Sequence, residues 1–462
     1  MAIRTDLSAQ RPVKALILYT GRMRDTGLKG KRIFKNMTEV KNSDPLIIQR
    51  PDHIISRKQI DPDAIKVLYR LYRNGFKAYL VGGAVRDILI GKTPKDFDIV
   101  TDAHPGQIKK LFANCFLIGR RFRLAHIRFK GGKIIEVATF RKEPEESSDG
   151  GGHDRNNTFG TLIEDAFRRD ITINALYYDI SNFSIIDHVG GLEDIRKGRI
   201  CIVGDPGKKY KEDPVRIWRA LRHSARTGFS IEKDTGLSIV PHRDLLGLCS
   251  GSRLFEELNK DLKSGFARPL FDLLYTYGLL PVLFGRIGEF YSNSQDSRAD
   301  MVRCLDVMDG IIRSGGSISH EAMLVIISWP WALHVLQKNR QLVYDKSKFL
   351  NDAFIEAQMV ITIPKCLRAH IVQIIYILDH MMYAMETGRI RWSLKKRARY
   401  MDASIIYSII KHGRIVDVKD PFEADLCEAF NLSPKKKRFS KRRSGRTRRS
   451  RASGRSDVNV VP

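Results

Sequence analysis

The sequence predicts an α+β protein in which a small mixed-sheet domain is followed by a long, all-helical region and a disordered basic tail. Short apolar runs bounded by glycines alternate with short helical segments up to about residue 140, a pattern typical of a small sheet covered by helices. The chain is then predominantly helical to about residue 430 and ends in a block of like charges that cannot bury apolar surface. The predicted units are a basic N-terminal extension at 1–50, a head at 51–180, a helical neck at 181–265, an elongated helical body at 266–432 and a disordered Arg/Lys-rich tail at 433–462.

The head is expected to begin with a helix and a buried strand. Apolar residues recur at helical spacing over 65–72, and Gly75 closes that segment. The apolar run 78–81 predicts a buried strand that leads directly into Gly82 and Gly83. This arrangement brings flexible backbone to the end of a strand and the start of the next helix.

The remaining elements of the head follow from shorter signals. In order, we expect a helix at 84–90, a strand at 97–100, a helix at 105–112, and strands at 125–129 and 133–140 joined by a Gly131-Gly132 hairpin. Residues 143–158 break every periodicity and predict a mobile loop. Beyond it, only hairpins at about 183–189 and 200–203 are expected to interrupt the helices.

Composition narrows the class of protein. Of the 462 residues 43% are hydrophobic and 29% charged, which is ordinary for a globular protein, whereas a net charge of +28 favours a nucleic acid or another anionic partner. Twelve Lys or Arg and no acidic residue stand at 435–455. The six cysteines lie far apart, which argues against a zinc ribbon or a disulfide framework. No apolar run approaches the roughly 18 residues of a membrane span, and we expect a cytoplasmic protein.

Asp96 and Asp98 give the strongest chemical signal. They stand on either side of Phe97, thirteen residues after Gly83, and residues two apart on a strand share one face. Two carboxylates on one face repel each other unless a cation lies between them. Oxygen ligands suit Mg²⁺, and a pair of such ions can activate a hydroxyl and stabilise a leaving pyrophosphate. An Asp-x-Asp pair alone is common, so the interpretation depends on its neighbours.

Those neighbours favour a phosphate site. Gly82 and Gly83 would let the backbone approach a triphosphate closely, and the start of the following helix favours anions. Arg86, on the first turn of that helix, is expected to reach a phosphate.

A third carboxylate would complete such a site, and the sequence leaves two candidates open. Glu136 is a polar residue in an apolar strand, where an exposed edge-strand charge is an equal explanation. Asp170 follows Arg168 and Arg169 directly before an apolar run, and this triplet indicates either a solvated helix start or a partly desolvated anion site.

A further group of residues lies at a predicted helix start. Asp213 suits an N-cap and Pro214 a first helical position, which could be purely structural. The functional interpretation is that Asp213 and Arg216 project side by side and hydrogen-bond the edge of a nucleotide base. Arginines continue along the same helix at 219, 222 and 226, as a basic flank suited to phosphates.

Taken together, these motifs resemble the superfamily of bacterial tRNA CCA-adding enzymes and poly(A) polymerases. The resemblance covers about 54–262 and continues more weakly to about 430. Within the superfamily, 117–127 is similar to the signature that sets poly(A) polymerases apart, and the arginine-rich tail is similar to theirs. The matching motifs, in the family's order, are LVGGAVRD at 80–87, DFD at 96–98, RRD at 168–170 and EDPVR at 212–216.

The resemblance implies a template-independent adenylyltransferase that adds AMP from ATP to RNA 3′ ends, releases pyrophosphate with the help of two Mg²⁺ ions, and marks RNA for decay. RNA 3′ ends and ATP are the expected partners, together with proteins of RNA decay, and the chain is expected to be a monomer. By resemblance, the catalytic acids would be Asp96, Asp98 and Asp170, and the nucleotide-binding residues Gly83, Arg86, Arg169, Asp213 and Arg216. The residues themselves add Gly82 to the nucleotide site and give Asp96, Asp98 and Glu136 as the expected metal ligands.

Two alternatives remain at this stage. A CCA-adding enzyme would share the metal site and differ in its choice of nucleotide and in when addition stops, which sequence alone does not reveal. A catalytically inactive RNA-binding protein is less favoured, because every candidate metal carboxylate is present: Asp96, Asp98, Glu136 and Asp170.

Overall fold

A computed structural model gives the fold of most of the chain. It describes residues 44–119, 124–142, 159–339, 345–388, 392–415 and 420–429. Most of the expected N-terminal extension, the expected loop at 143–158, four residues of the signature stretch and the basic tail lie outside the described residues.

Within the described ranges, eight strands form one mixed sheet in the order β1-β8-β7-β2-β3-β6-β5-β4. β3 pairs in parallel with β6, and the neighbouring pairs are antiparallel. The strands are β1 Leu46–Ile48, β2 Ala78–Val81, β3 Asp98–Thr101, β4 Cys115–Ile118, β5 Leu124–Arg128, β6 Ile134–Thr139, β7 Leu176–Asp179 and β8 Ile185–Asp187, and a separate pair is formed by β9 Arg199–Ile200 and β10 Ser230–Ile231.

Helices make up most of the remainder, which confirms the predicted α+β class with a helical majority. The helices up to the end of the neck are α1 Pro62–Arg73, α2 Gly83–Leu89, α3 Pro105–Leu111, α4 Leu162–Phe167, α5 Gly191–Lys197, α6 Pro206–Glu212, α7 Val215–Thr227, α8 Lys233–Leu237, α9 Ile239–His242 and α10 Gly251–Leu262. Those of the body are α11 Ala267–Thr276, α12 Leu280–Phe284, α13 Arg286–Asn293, α14 Gln295–Arg313, α15 His320–Ile326, α16 Trp329–Lys338, α17 Lys346–Glu356, α18 Lys365–Thr387, α19 Tyr400–His412 and α20 Pro421–Ala429.

The two faces of the sheet are covered differently. One face is buried under α1, α2 and α3, whose apolar residues join the main core around Leu80 and Ile99. The other face carries a smaller apolar cluster that includes Val81, Val100 and Tyr177, with Ala166 of α4 packed against it. Polar and exposed side chains occupy the rest of this second face, towards β4, and the candidate site lies there.

Most of the head elements predicted from periodicity are present within one or two residues of their expected limits. β3 begins at Asp98, one residue after its expected start, so Asp96 precedes the strand and the expected alternation does not extend to it. β4 was not predicted, because two of its four residues are exposed and its pattern is short.

The sheet is also wider than the sequence indicates. β1 pairs with β8, and β8 pairs with β7. The sheet therefore begins before residue 51 and ends beyond residue 180, outside the limits expected for the head. The hairpin expected at 200–203 is wrong, because β9 pairs in parallel with the distant β10.

The helical region shares its core with the head. One continuous cluster of buried apolar side chains runs from α1 through α7 to α20. Trp329 and Trp331 are both buried in it. In the part of the chain that the structure describes, no helix combines the length and the apolar character needed to cross a membrane.

Candidate active site

A cavity of about 340 Å³ opens on the partly uncovered face of the sheet. Its floor is formed by β2, β3, β5 and β6, and its far wall by residues that follow α4 and by α7. The charged and polar residues that line it are Asp98, Glu136, Arg141, Asp165, Arg168, Arg169, Asp170, Asn174 and Arg219.

Asp98 and Glu136 form the acidic side of the cavity. The parallel register of β3 and β6 pairs Ile99 with Val137, which places the preceding residues, Asp98 and Glu136, side by side on one face. Burial and the charges of Glu136 and Asp96, against an opposing effect of Arg169, raise the pKa of Asp98 to about 6. Protein surrounds Asp98 on most sides, but the residue lines the wall of an open cavity. Its side chain is therefore exposed to solvent there.

This acidic side suits a hard divalent cation. Mg²⁺ is commonly held by one or two carboxylates, with waters and substrate phosphates completing its shell. The raised pKa of Asp98 reflects its burial first and then the neighbouring negative charge of Glu136, which Arg169 offsets only in part. Across the described ranges, no three His, Cys, Asp or Glu side chains come together as a ready-made metal site. Asp96 is exposed and lies outside the lining, although its charge reaches Asp98.

Arg169 forms the centre of the basic side. Its Nε and Nη2 donate to Asp165 Oδ2 at 3.1 and 3.0 Å, and Nε also donates to the Tyr177 hydroxyl at 3.0 Å. Nη1 donates to the carbonyl oxygen of Asn174 at 3.3 Å. Burial opposes the charge of Arg169, but Tyr177 and Asp165 outweigh it and raise the pKa of the guanidinium. Arg169 is therefore held rigidly in the cavity wall.

Further arginines add to this positive charge. Burial and the charge of Arg168 lower the pKa of Arg141 to about 10, and burial also lowers the pKa of Arg168. Arg168 Nε is buried and, within the described residues, has no hydrogen-bond partner, although it lies 3.6 Å from Asp165 Oδ1. Guanidinium groups that lie close together repel each other, so a bound anion between them is favourable.

Gly82 lies between the acidic side and the basic side of the cavity. Its φ is +75°, a conformation that favours glycine. A Cβ atom at this position would lie 3.7 Å from Arg169 Nη1 and 4.0 Å from Asp98 Oδ2. The absence of a side chain leaves open the space between the carboxylate and the guanidinium, although a Cβ would make only ordinary contacts there and the positive φ is the stronger reason for glycine. Gly83 is the first residue of α2.

Arg86 does not line the cavity, so the expectation that it reaches a phosphate directly is not supported by its geometry. Its side chain is buried, and Nε and Nη2 donate to Asp87 Oδ1 at 2.9 and 2.7 Å. Nη1 donates to Asn174 Oδ1 at 2.7 Å and lies 3.2 Å from His223 Nδ1. Arg86 therefore positions Asn174, which does line the cavity.

Asp170 lines the cavity but is held by arginines from α7. Oδ1 accepts from Arg216 Nε at 3.0 Å and Oδ2 from Arg219 Nη1 at 2.6 Å. Burial raises the pKa of Asp170, but Arg219 and Arg216 together outweigh it and leave that pKa below its ordinary value. With both oxygens engaged, Asp170 is a poorer metal ligand than Glu136 in this geometry. The Arg168–Asp170 triplet follows α4, so it is not a helix start.

Asp213 and Arg216 do not project side by side. Asp213 Oδ1 accepts from the Val215 backbone nitrogen at 3.2 Å, as expected for a capping residue, while Oδ2 accepts from Arg253 Nη2 at 2.7 Å. Arg216 instead pairs with Asp170 and, at 2.7 Å, with Glu212. Neither side chain lines the cavity. Base reading by these two residues would require their ion pairs to open.

Four residues of the site were missed by the sequence analysis: Arg141, Asp165, Asn174 and His223. Asp165 and Asn174 line the cavity, and His223 supports Asn174 through a 3.2 Å contact between His223 Nε2 and Asn174 Nδ2. Asp165 lies one helical turn before Arg169, a spacing that could have indicated their ion pair. No comparable signal links Asn174 to His223, which are 49 residues apart.

Comparison with known proteins agrees with this geometry. Residues 78–201 match the family described as Poly A polymerase head domain, and residues 228–288 match the one described as Probable RNA and SrmB- binding site of polymerase A. Poly(A) polymerase I of Salmonella typhimurium is 42% identical over 335 residues, which cover 69% of this chain and 72% of that protein. The CCA-adding enzyme of Bacillus pumilus is 35% identical over 282 residues, covering 59% of this chain and 68% of that protein.

A solved structure has a similar fold. The CCA-adding enzyme of Bacillus stearothermophilus, crystallised in complex with CTP, superposes with a TM-score of 0.56 at 25% identity, covering 80% of this chain and 83% of that one. The sequence match is stronger to the poly(A) polymerases than to the CCA-adding enzymes. The chain therefore belongs to the bacterial poly(A) polymerase family of nucleotidyltransferases.

Proposed function

We propose that this chain adds AMP from ATP to RNA 3′ ends without a template and releases pyrophosphate. The observation that carries the proposal is the cavity in which Asp98 and Glu136 face Arg169 across the space left open by Gly82. Opposed acidic and basic sides suit a reaction in which a metal-bound triphosphate is attacked by a hydroxyl. The similarity to proteins named Poly(A) polymerase I supports ATP as the nucleotide.

Asp98 and Glu136, with Asp96 beside them, would hold Mg²⁺. Bound there, Mg²⁺ supplies charge stabilisation and a more nucleophilic 3′-hydroxyl, and we propose two ions. Of the two candidates for the third carboxylate we favour Glu136, because Asp170 is engaged by Arg216 and Arg219.

The arginines of the opposite wall would bind the phosphates of ATP. Arg169 is fixed by Asp165 and Tyr177, so its Nη1 is oriented before the substrate arrives. Such preorganisation lowers the reorganisation needed in the transition state. Arg168 and Arg141 add charge that an anion would stabilise.

RNA is the proposed second substrate. The match of residues 228–288 to a family described as a probable RNA-binding site supports it, as does the net charge of +28. We further propose that the basic residues at 435–455, outside the described part of the chain, increase RNA affinity. The enzyme would act as a cytoplasmic monomer whose products, in concert with decay proteins, mark RNA for degradation.

The test uses the full chain with Mg²⁺ and either ATP or CTP. One RNA is unstructured, and the other is a tRNA that lacks its CCA end. We expect long AMP tails on the unstructured RNA and little CMP incorporation. Addition that requires the tRNA, uses CTP and then stops would instead show a CCA-adding enzyme.

Two variants guard against contaminating activity. Asp98→Asn should abolish incorporation, because Asp98 lies on the acidic wall of the cavity. Asp244→Asn changes an aspartate whose side chain is 83% exposed and lies outside the cavity lining, and it should retain full activity. Equal activity in both variants would contradict the assignment of the site.

A further inference from the structure

Four side chains, one from each of four adjacent strands, form a straight row across the open face of the sheet. The register of β5 and β6 pairs His126 with Glu136, and that of β4 and β5 pairs Phe116 with His126. Asp98 lies beside Glu136 at the other end. Paired residues of neighbouring strands point to the same face. The row therefore starts at the candidate metal carboxylates and ends at an aromatic ring.

The far end of this row is apolar and exposed. Phe116 is 50% exposed, Ile118 45% and Ile134 40%. Ile118 pairs with Leu124, which lines the cavity, so the exposed apolar surface continues directly from the site. Exposed apolar groups that adjoin a functional cavity indicate a binding surface more often than isolated ones do.

A cation lies at the same place. The guanidinium of Arg128 stacks on the Phe116 ring, with its central carbon 4.7 Å from the ring centroid. An exposed aromatic ring beside an arginine is the combination with which proteins hold single-stranded nucleic acid, because the ring stacks on a base while the cation meets a phosphate. A purely aliphatic patch would favour a protein partner instead.

The length of the row and the distribution of charge along it also fit a single-stranded nucleic acid. Glu136 and Phe116 are separated by two strand spacings, about 10 Å, which one or two nucleotides can span. His126 lies between them, with its Nε2 3.3 Å from Glu136 Oε1. The carboxylates are thus confined to the end of the row where the reaction would occur, and the RNA backbone would meet Arg128 at the other end.

We propose that the row from Glu136 to Phe116 is the track for the 3′-terminal nucleotides of the RNA, in which Phe116 stacks on a base and Arg128 contacts a phosphate. The inference rests on the proposed function, since it names where the RNA substrate of that reaction lies. It assigns substrate-binding roles to two residues outside the cavity lining.

The experiment measures steady-state kinetics with a short oligo(A) RNA. Phe116→Ala should raise KM for RNA at least about fivefold, the lower end of the loss of one stacked base, while KM for ATP and kcat at saturating RNA change less than about twofold. Tyr72→Ala is the matched control, because Tyr72 is an aromatic residue of α1 with 47% exposure, on the helix layer that covers the opposite face. It should leave all three constants unchanged.

Two further variants separate stacking from folding. Phe116→Trp keeps a stacking ring and should retain a near-normal KM, with tryptophan fluorescence that is quenched when RNA binds. Arg128→Gln should reduce the slope of log affinity against log salt by about 0.7, the value for one phosphate contact with a single strand. An effect of Phe116→Ala no larger than that of Tyr72→Ala, or an effect on KM for ATP alone, would overturn the proposal.

RNA binding without ATP keeps this result separate from the proposed function. Fluorescence anisotropy with a labelled oligo(A) detects the track even if the wild-type chain transfers no AMP, in which case the proposed function fails and the track stands. If Phe116→Ala leaves RNA affinity intact but changes the molar mass measured by light scattering, the surface contacts protein and the track is wrong.

Discussion

Asp170 and Arg219 form an ion pair with 2.6 Å between Asp170 Oδ2 and Arg219 Nη1. The pair joins the segment after α4 to α7, so it connects the cavity wall to the first long helix of the neck. Arg216, one turn earlier on α7, occupies the other oxygen of Asp170. The two arginines keep the pKa of Asp170 low in spite of burial. Asp170 is thus a structural link as well as a residue of the site.

Replacing Asp170 should therefore affect the stability of the fold more strongly than the affinity for Mg²⁺. Asp170→Asn removes the anion that Arg216 and Arg219 share and leaves them with Glu212 and the more distant Glu257, which should cost about 2 kcal/mol. The loss can be followed as a decrease in the unfolding temperature. Glu212→Gln is the matched control, because Glu212 also pairs with Arg216 but its side chain is 49% exposed, and it should cost less than about 0.5 kcal/mol. Equal losses would show that the pair is not what holds α7 in place.

Magnesium binding distinguishes the candidate carboxylates. A ligand that binds only the folded chain raises its stability, by about 2.7 kcal/mol at a concentration of 100 times Kd. Mg²⁺ should raise the unfolding temperature of the wild-type chain and of Asp170→Asn, but not that of Asp98→Asn or Glu136→Gln. Turnover of Asp98→Asn should fall at least about 10³-fold. If Glu136→Gln keeps the Mg²⁺ effect and Asp170→Asn loses it, the third carboxylate is Asp170.

The sequence was a good guide where a role depends on backbone and on residue type. The end of β2 just before Gly82 and the polar Glu136 in the apolar run of β6 could both be recognised from local patterns. It failed where a side chain chooses among distant partners. Arg86 lies near the start of a helix, where its guanidinium was expected to reach a phosphate. It instead contacts His223, which is 137 residues away. Short strands with exposed residues, such as β1 and β4, also lack a periodicity to detect.

The choice between ATP and CTP tests whether Arg216 reads the base. Arg219 is the comparison, because it also pairs with Asp170. If Arg216 leaves Asp170 and reads the base, Arg216→Ala should weaken the preference for ATP over CTP by about 1–3 kcal/mol, the scale of a bidentate base contact. Arg219→Ala removes the other partner of Asp170 and should lower the rate without changing that preference. Competition between ATP and CTP at fixed total concentration measures the preference. An equal change of preference in both variants would mean that both act only through Asp170.

Acid should destabilise the folded chain through His223 of α7, which contacts Arg86 of α2. The pKa of His223 lies well below 6.5 in the folded chain. Burial is the largest cause, and the charges of Arg86, Arg222 and Arg226 add to it. The unfolded chain binds a proton at about that ordinary value and the folded chain does not. The unfolded state therefore binds more protons below pH 6.5, and stability decreases as the pH falls, by up to about 1.4 kcal/mol per pH unit for one group.

This dependence can be isolated with two variants. Unfolding temperatures measured from about pH 8 to about pH 5 should decline more steeply for the wild-type chain than for His223→Gln, which cannot take up the proton. Arg86→Gln removes the nearest cation, 3.2 Å from His223 Nδ1, so it raises the pKa of His223 and should also flatten the decline. Because the folded chain keeps His223 neutral over this range, its contact with Asn174 is preserved, and the effect should appear in the unfolding temperature. Parallel declines in the wild-type chain and in His223→Gln would show that another group carries the acid sensitivity.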